Sequence, residues 1–220
     1  MKNKKAIALM WLFSLLPFLL VALAWPHLPE QVPTHWGLNG RVDAYSSPAT
    51  LWLLCAIAPL LSLGMQLLPR LDPKRENYEK FQSRYDLFGP MVPLLLLVCV
   101  AVTLSESLWP GRIDVGRAIL LMVGVLFLIV GNLMGKVKTN WFLGFRTPWA
   151  LSDPDVWNRT QRMGGWTFFL SGLSAVLLAL LAPSELFFAL FFVILAAGTL
   201  LTCFMSWKWF RDKKEKGGGA

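Results

Sequence analysis

Charged residues are scarce in this chain of 220 residues, at 15%, whereas hydrophobic residues make up 55%. A soluble globular domain usually carries about 25% charged residues, so this chain has too little charge to cover a water-soluble fold. A disordered chain is also excluded, because disorder needs low hydrophobicity and high charge. The composition therefore indicates a membrane protein with one small domain, for which lipid is the outer solvent.

Cysteine and histidine are rare as well. Cys55, Cys99 and Cys203 all lie in apolar stretches, and their odd number predicts no disulfide framework. His27 and His35 are the only histidines, so the sequence offers no metal site beyond a weak pair of histidines. We expect neither a metal nor a cofactor.

Six stretches of 18 to 22 residues lack charge and histidine altogether. They are Ala6–Trp25, Ala49–Leu68, Leu87–Ser105, Ala118–Gly135, Met163–Ser184 and Leu186–Trp207. A charge inside the membrane usually marks an ion path or proton relay, so its absence disfavours a pump or an intramembrane protease. The chain also lacks the phosphate-binding loop, zinc-protease and nucleophile-elbow motifs, and we expect a protein that is not an enzyme.

Each stretch is long enough to cross the membrane as a helix, since 20 residues span about 30 Å. The alternating pattern of a membrane barrel is absent, which predicts an all-α bundle of six transmembrane helices. Three spans contain the prolines Pro17, Pro59, Pro90 and Pro93 and are expected to kink there.

The basic residues predict the orientation. Eighteen of the 21 Lys and Arg residues lie in the N-terminal segment, the loops after the second and fourth spans, and the C-terminal tail. The other three, Arg41, Arg112 and Arg117, lie in the remaining loops. The positive-inside rule then places both termini in the cytoplasm. The net charge of +8 comes from Lys and Arg residues that flank the ends of the spans, so no direct contact with nucleic acid is expected.

The predicted division is a three-span half over residues 1–105 and a second three-span half over residues 106–216. Residues 217–220 form a Gly-rich end that resembles a cloning remnant. An alternative for the start of the chain is a signal peptide cleaved after Ala22-Leu23-Ala24, but its apolar run of 20 residues exceeds a usual signal core.

The first extracytoplasmic loop, 26–48, predicts a small hairpin. Its prolines favour an extended chain, and Asn39-Gly40 is typical of a tight turn before Arg41–Tyr45. Trp36 and Tyr45 are expected at the level of the lipid headgroups. His35 is either a packed, hydrogen-bonded residue or a contact for a metal or a partner.

The two long cytoplasmic loops predict interfacial helices. After Asp72-Pro73, an N-cap pattern, aromatic residues recur at helical spacing: Tyr78, Phe81, Tyr85 and Phe88. This helix is expected to anchor at the membrane surface through its aromatic face and basic residues.

The second of these loops, Lys136–Arg162, is rich in tryptophan and arginine. Ser152 and Asp155 form a capping-box pattern that predicts a helix start. Arg146 has the planar fork that suits a carboxylate or phosphate. A belt of tryptophans touching lipid is the alternative interpretation of the loop.

Two patterns resemble a known family. Gly131-Asn132, Lys138-x-Asn140, Gly144-x-Arg146-Thr147-Pro148-Trp149-x-Leu151 and Val156-Trp157-x-x-Thr160-x-Arg162-x-Gly164 resemble the signature of the SdpI family. Pro33-Thr34-His35-Trp36-Gly37-x-Asn39-Gly40 resembles a domain of unknown function that forms the front half of longer members. Members usually have Pro at the position of Thr139 and His at that of Gln161, so no ionisable role is expected at 161.

The resemblance implies a polytopic bacterial membrane protein that protects its cell from a secreted antimicrobial peptide toxin. It also implies a signalling role, in which the protein tethers a cytoplasmic repressor once toxin is sensed. The implied extracytoplasmic recognition set is Pro33, His35, Trp36, Gly37, Asn39 and Gly40. The implied cytoplasmic partner-binding set is Asn132, Asn140, Gly144, Arg146, Thr147, Pro148, Trp149, Trp157, Thr160 and Arg162.

Other functions remain open on the residues alone. The first is a membrane protein that binds or transports a lipid or a peptide, using a cavity between kinked helices. The second is an enzyme at the cytoplasmic face, with Asn140, Arg146 and Asp155 gathered around a headgroup phosphate, although no nucleophile and base are paired. A structural subunit of a larger membrane assembly is the third. Membrane lipids are expected partners in every case.

Overall fold

Six long helices dominate the computed structural model, which describes residues 1–37, 40–182 and 186–217. The helices are α1 (Lys4–Ala24), α2 (Thr50–Leu71), α3 (Gln82–Phe88), α4 (Met91–Leu108), α5 (Val115–Met134), α6 (Pro148–Ser152), α7 (Pro154–Leu181) and α8 (Phe187–Gly217). Apart from the short α6, each is part of a segment long and apolar enough to cross a membrane, and α3 and α4 share one such segment, Arg75–Leu108. The all-α class and the six spans are thus confirmed; Asn39, Ser184 and residues 218–220 lie outside the described residues.

The helices form two groups of three. In the first half α1, α2 and α4 pack against one another, and in the second half α7 packs against both α5 and α8. Residues 109–114 connect the halves between α4 and α5. The first core contains Val21, Leu51, Cys55, Val100 and Leu104, and the second contains Leu120, Ala175, Ala179 and Phe191. All three cysteines are free.

Helices α5 and α7 approach each other along small residues. A Cβ atom built on Gly131 of α5 would lie 2.6 Å from the carbonyl oxygen of Gly165 on α7. About two helical turns away, a Cβ atom on Gly172 of α7 would lie 2.6 Å from the carbonyl oxygen of Gly124 on α5. Because no side chain fits between the backbones there, only glycine permits this contact, which is a common way to pack membrane helices.

Two pairs of buried hydroxyl side chains join neighbouring spans. The hydroxyl oxygens of Ser14 and Ser62 lie 2.6 Å apart between α1 and α2, and those of Thr167 and Thr202 lie 2.9 Å apart between α7 and α8. An unpaired polar group in lipid would cost several kcal/mol. These bonds therefore hold helix pairs together and leave no polar path at those positions.

One end of the bundle carries the predicted hairpin and is called the hairpin end. Strands β1 (Val32–Trp36) and β2 (Val42–Ser46) pair antiparallel, as the Asn39-Gly40 turn signal predicted. Val32 is fully buried in the first core, so the hairpin rests on the spans. Gly40, with a positive φ of 74°, packs against Gly116 at the start of α5, which brings the hairpin into contact with the second half.

The opposite end carries the N-terminus, the Lys136–Arg162 segment and the end of α8; it is called the basic end. The segment after α2 is helical, as predicted, with a 3₁₀ helix at Arg75–Phe81 followed by α3. Its aromatic face does not lie on lipid, however, because Tyr78, Phe81 and Tyr85 are buried against Met10 and Met65. The helical spacing of these aromatic residues therefore reflects packing against α1 and α2 of the same protein.

The third predicted span begins later than the apolar run. Leu87 and Phe88 end α3, and α4 starts at Met91 and continues past the predicted end to Leu108. Pro90 is the N-cap of α4 and Pro93 lies in its first turn, so neither interrupts the helix interior, where the predicted kink would arise. A proline fits the first turn because its missing N–H would have no partner there. Pro17 and Pro59 do lie inside α1 and α2.

Candidate functional site

The segment Lys136–Arg162, called the motif loop, folds onto the bundle at the basic end. Thr147 caps α6, its hydroxyl accepting a hydrogen bond from Ala150 N at 3.1 Å, and Pro148 takes the first helical position. Asp153 caps α7 by accepting from Asp155 N and Val156 N at 2.8 and 3.1 Å.

The predicted capping box is therefore displaced by one residue. Ser152 ends α6, and its hydroxyl donates back to Pro148 O at 2.7 Å instead of capping α7. The Asp153-Pro154 pair supplies both the side-chain acceptor and the favoured proline for the start of α7. The residue that caps α7 therefore directly follows Ser152, the predicted N-cap.

Asn140 organises the first turn of the motif loop. Its side chain is fully buried; Oδ1 accepts from Phe142 N and Leu143 N, while Nδ2 donates to Lys138 O and Leu143 O. A single amide thus satisfies four backbone groups, which no other residue type of this size can do. Asn140 shapes the loop from within and cannot reach a partner from this position.

Gln161 plays the same part for the second turn. Its Oε1 accepts from Phe145 N at 3.0 Å and its Nε2 donates to Phe145 O at 2.8 Å, and the side chain is fully buried. Gly144, with φ of 94°, passes so close that a Cβ atom there would overlap the Gln161 amide. Position 161 therefore has a neutral hydrogen-bonding role in this chain, in line with the absence of an ionisable residue.

Buried hydroxyl groups and an indole fix the loop to the helices. Ser206 of α8 lies 2.6 Å from the hydroxyl of Thr147 and accepts from Thr160 at 3.0 Å. Trp157 is almost fully buried, and its Nε1 donates to Val137 O at 2.9 Å. Thr147, Trp157 and Thr160, predicted to bind a partner, thus make intramolecular contacts.

A buried carboxylate ties the motif loop to the first half. Asp72, which is 2% exposed, follows α2 and accepts from Lys74 N, from the Tyr78 hydroxyl at 2.9 Å and from Trp141 N at 2.9 Å. Asn77 Nδ2 adds a bond to Thr139 O at 2.8 Å. We call these bonds the Asp72 tie. Sequence reasoning saw Asp72 only as a local cap, since its partner Trp141 is 69 residues away.

An apolar cleft of about 100 Å³ lies beside the Asp72 tie, between the two halves. The first half contributes Phe81, Arg84, Tyr85 and Phe88, and the second half contributes Val130, Leu133, Met134, Val137, Leu143 and Gly144. The tie and the cleft together define the contact between the halves at the basic end.

The remaining residues of the predicted partner-binding set are accessible. Arg146, Pro148, Asn132, Gly144 and Arg162 are exposed, and Trp149 is half-buried. Arg146 donates to Trp141 O at 2.6 Å, which holds its guanidinium over the first turn of the loop. The accessible part of the motif loop is thus basic and aromatic.

The hairpin presents a second accessible set at the opposite end. The side chain of His35 is 69% exposed, and its Nδ1 lies 2.6 Å from Asp43 Oδ1, so His35 is not packed in a core. Tyr45 is 59% exposed beside them. Pro33 is buried and Trp36 is half-buried, so these two side chains pack within the protein and contribute little to the accessible surface of the hairpin. Gly37 and Gly40 close the turn through hydrogen bonds from Gly37 N to Arg41 O and from Gly40 N to Gly37 O.

The residues considered for an enzyme do not converge. Asn140 bonds within its own turn, Arg146 bonds to Trp141 O, and Asp155 pairs with Lys213 at 2.7 Å. Within residues 1–37, 40–182 and 186–217, no group of three or more His, Cys, Asp and Glu residues could hold a metal ion.

Comparisons with known proteins match both parts of the chain. Residues 136–206, which include the motif loop, match the SdpI/YfhL protein family, and residues 12–58, which include the hairpin, match a domain of unknown function, DUF1648. The immunity protein SdpI of Bacillus subtilis (strain 168) is 24% identical over 187 residues, which cover 85% of this chain and 87% of that protein. No solved structure matches the chain significantly.

The fold and these matches define a polytopic α-helical membrane protein. The second half of the chain is similar to the SdpI/YfhL family over residues 136–206 and the first half to the DUF1648 domain over residues 12–58, as the sequence motifs indicated.

Proposed function

We propose that this chain is an immunity protein of the SdpI type, which protects its cell from a secreted antimicrobial peptide toxin. The observation that carries the proposal is the similarity to the Bacillus immunity protein across most of both chains. The two family-model matches include the hairpin and the motif loop, the two accessible surfaces at opposite ends of the bundle.

The proposed orientation places the hairpin outside the cell and both termini inside. The support is the distribution of Lys and Arg, which concentrates at the basic end. A secreted toxin would then meet the hairpin first, and a cytoplasmic partner would meet the motif loop.

The hairpin offers a polar, aromatic surface next to an apolar groove. His35, Asp43 and Tyr45 are exposed, and a groove of about 540 Å³ runs between the hairpin and α2, past Thr50 and Ile57. A peptide that lies on a membrane has a polar face and an apolar face. We propose that its apolar face enters the groove while its polar face contacts the hairpin.

The test is growth of cells expressing His35→Ala with Tyr45→Ala under increasing toxin. We place His35 and Tyr45 among the few contact residues that carry most of the binding energy, each worth above about 1 kcal/mol, so protection should fall about tenfold or more in toxin concentration. Both side chains are exposed, so the variant should remain folded, and its amount in the membrane is measured alongside.

Trp109→Ala with Arg112→Ala is the matched control. These two side chains also lie at the hairpin end and contact each other, with the guanidinium 5.8 Å from the indole centroid, but they belong to the loop before α5. Protection should be unchanged in this variant. Full protection by the His35 and Tyr45 variant, expressed at the normal level, would rule out the hairpin as the recognition surface.

We further propose that the accessible part of the motif loop tethers a cytoplasmic repressor. Arg146 and Trp149 supply a fixed cation and a partly exposed indole, residue types enriched in binding hot spots. Arg146→Gln with Trp149→Ala should abolish toxin-dependent recruitment of the repressor to the membrane, whereas Lys214→Gln at the same end should not. Unchanged recruitment in the first variant would exclude this docking surface and leave the immunity proposal intact.

A further inference from the structure

A groove at the basic end lies between α5 and α7 on the outer surface of the second half. It has a volume of about 380 Å³ and is called the α5–α7 groove. Its lining residues are Gly131, Asn132, Gly135, Lys136, Arg162, Gly165, Trp166 and Phe169. The groove is separate from the hairpin and from the Asp72 tie.

The charge of the groove is positive. Lys136 and Arg162 are both exposed, none of the lining residues is acidic, and neither cation has an ion pair with any residue in the described parts of the chain. The amide of Asn132 is exposed beside them and adds a neutral donor. Two cations and an amide form a suitable environment for a phosphate group.

The C-terminus of α5 does not cancel this charge. Helix α5 ends at Met134, and the end of a helix carries about half a negative charge. Two of its last carbonyl groups are already satisfied, since Leu133 O accepts from Lys136 N and Met134 O accepts from Val137 N. Two full positive charges therefore leave a clear excess for an external anion.

The position of the two cations indicates the depth of the groove in the membrane. Lys136 directly follows the uncharged stretch Ala118–Gly135, and Arg162 directly precedes the uncharged stretch that starts at Met163. Both cations thus lie where the apolar spans end, which is the depth of lipid headgroups.

The other half of the groove is apolar and suits an acyl chain. Trp166, one turn of α7 beyond Arg162, is 66% exposed, and its ring meets that of Phe169 edge to face at 6.0 Å. The backbone contact of Gly131 and Gly165 forms the floor, because neither residue has a side chain to fill it. The stem of Arg162 packs near Gly135, where an added Cβ atom would lie 3.6 Å from Arg162 Cγ.

We infer that the α5–α7 groove binds an anionic phospholipid, with its phosphate on Lys136 and Arg162 and one acyl chain along Trp166 and Phe169. A cytoplasmic protein is the weaker occupant, since half of the groove lies along a lipid-facing stretch of α7 where such a partner would have to enter the membrane. The inference goes beyond immunity and does not depend on it. It also assigns Asn132 and Arg162 a role different from the partner-binding role expected from the sequence.

The test is thermal unfolding of the purified full chain in a neutral detergent, with phosphatidylglycerol or phosphatidylcholine added. Phosphatidylglycerol should raise the midpoint temperature in a saturable manner, and phosphatidylcholine should raise it much less. In Lys136→Gln with Arg162→Gln, the apparent affinity for phosphatidylglycerol should fall roughly thirty-fold, which corresponds to two lost cation–headgroup contacts. Glutamine keeps much of the Arg162 stem on Gly135, so the variant without lipid should unfold near the wild-type temperature.

Lys138→Gln with Arg159→Gln is the matched control, because it removes two exposed charges from the same end but from outside the groove. It should retain the wild-type affinity for phosphatidylglycerol. Native mass spectrometry of the same samples counts bound lipids, so that a variant with altered stability is still informative. Inorganic phosphate alone should not stabilise the chain at the concentrations at which the lipid does.

Three results would overturn the inference. Equal stabilisation by the two lipids would exclude a headgroup site. Full retention of lipid affinity in the Lys136 and Arg162 variant would exclude this groove, and loss of repressor recruitment in that variant would then indicate a protein partner there. Stabilisation by inorganic phosphate equal to that by the lipid would show a phosphate site without a role for the acyl chain.

Discussion

At the scale of single residues, the motif loop depends on side chains that replace backbone pairing. Gln161 meets both the N–H and the carbonyl of Phe145, and Gly144 must lack a side chain for this contact to form. Asn140 does the same for the preceding turn. Buried amides of this kind are costly to disturb, because each lost bond leaves a backbone group unsatisfied.

Gly144→Ala should destabilise the chain strongly for this reason. Alanine at a positive φ costs roughly 1 kcal/mol, and displacement of the Gln161 amide adds about 1 kcal/mol for each of two hydrogen bonds. The expected loss in the free energy of unfolding is about 3 kcal/mol, measured by denaturant titration in mixed micelles.

Gly111→Ala is the control for the backbone contribution. Gly111 also has a positive φ, of 76°, but nothing lies within 4 Å of a Cβ atom built there. Its expected loss is about 1 kcal/mol. Equal losses in the two variants would show that the contact with Gln161 does not constrain Gly144.

Sequence reasoning singled out several residues that shape this loop but could not predict their contacts. Gly144, Asn140 and position 161 were all identified from the family pattern. The pairing of Gln161 with Phe145 depends on a loop that reverses over 16 residues, and no local spacing predicts that reversal. The burial of Trp157 and Thr160 could likewise not be predicted from the sequence, because buried and exposed positions of such a loop are occupied by the same residue types.

At the scale of elements, the start of α7 and the end of α8 are held together by charge. Asp153 caps α7 and also pairs with Lys213 of α8 at 2.8 Å. The hydrogen bond from Lys213 lowers the pKa of Asp153 below its ordinary value of 3.8, with smaller help from the backbone N–H groups of Val156 and Asp155. The last turns of α8 are thus fixed to the motif loop.

The lowered pKa predicts acid sensitivity of this contact. The pair contributes its full stability above the ordinary pKa of Asp153, and the contribution is lost as the pH falls through the lower pKa of the folded state. Asp153→Asn keeps the cap but removes the charge, so its midpoint temperature should fall less than that of wild type from about pH 5 to pH 2.

Two further variants separate the cap from the ion pair. Asp153→Ala should cost an additional amount of about 1 kcal/mol relative to Asp153→Asn, because it also removes the cap. Asp155→Asn removes the other Lys213 partner, which is 71% exposed and does not cap α7, and should change stability little. A wild-type acid profile in Asp153→Asn would contradict the assignment.

The element boundaries show what hydropathy can predict. Helix α1 was predicted as Ala6–Trp25 and spans Lys4–Ala24, and α5 was predicted as Ala118–Gly135 and spans Val115–Met134. These limits follow from apolar length, which is a local property. The boundary between α3 and α4 was missed because Gly89-Pro90 lies within an apolar run, and hydropathy does not register where one helix ends and the next begins.

At the scale of the whole molecule, the hairpin and the motif loop lie at opposite ends of one bundle. This arrangement follows from the odd number of spans between them, since α2, α4 and α5 separate the hairpin from the motif loop. The sidedness that we propose rests on the basic residues, and labelling of cysteines can test it.

In a chain in which Cys55, Cys99 and Cys203 are replaced by serine or alanine, single cysteines are placed at Tyr45 and at Arg146. Both positions are exposed. A maleimide that cannot cross membranes should label Tyr45→Cys on intact cells and should label Arg146→Cys only after permeabilisation. Labelling of Arg146→Cys on intact cells would reverse the proposed orientation.

The two halves of the chain are joined differently at the two ends of the bundle. At the hairpin end they share a covalent link, residues 109–114, and the contact of Gly40 with Gly116. At the basic end they meet through the Asp72 tie and the walls of the apolar cleft, without a covalent link. Separation of the halves is thus opposed at the basic end by hydrogen bonds and packing alone, whereas at the hairpin end the six-residue connection itself limits how far the halves can move apart.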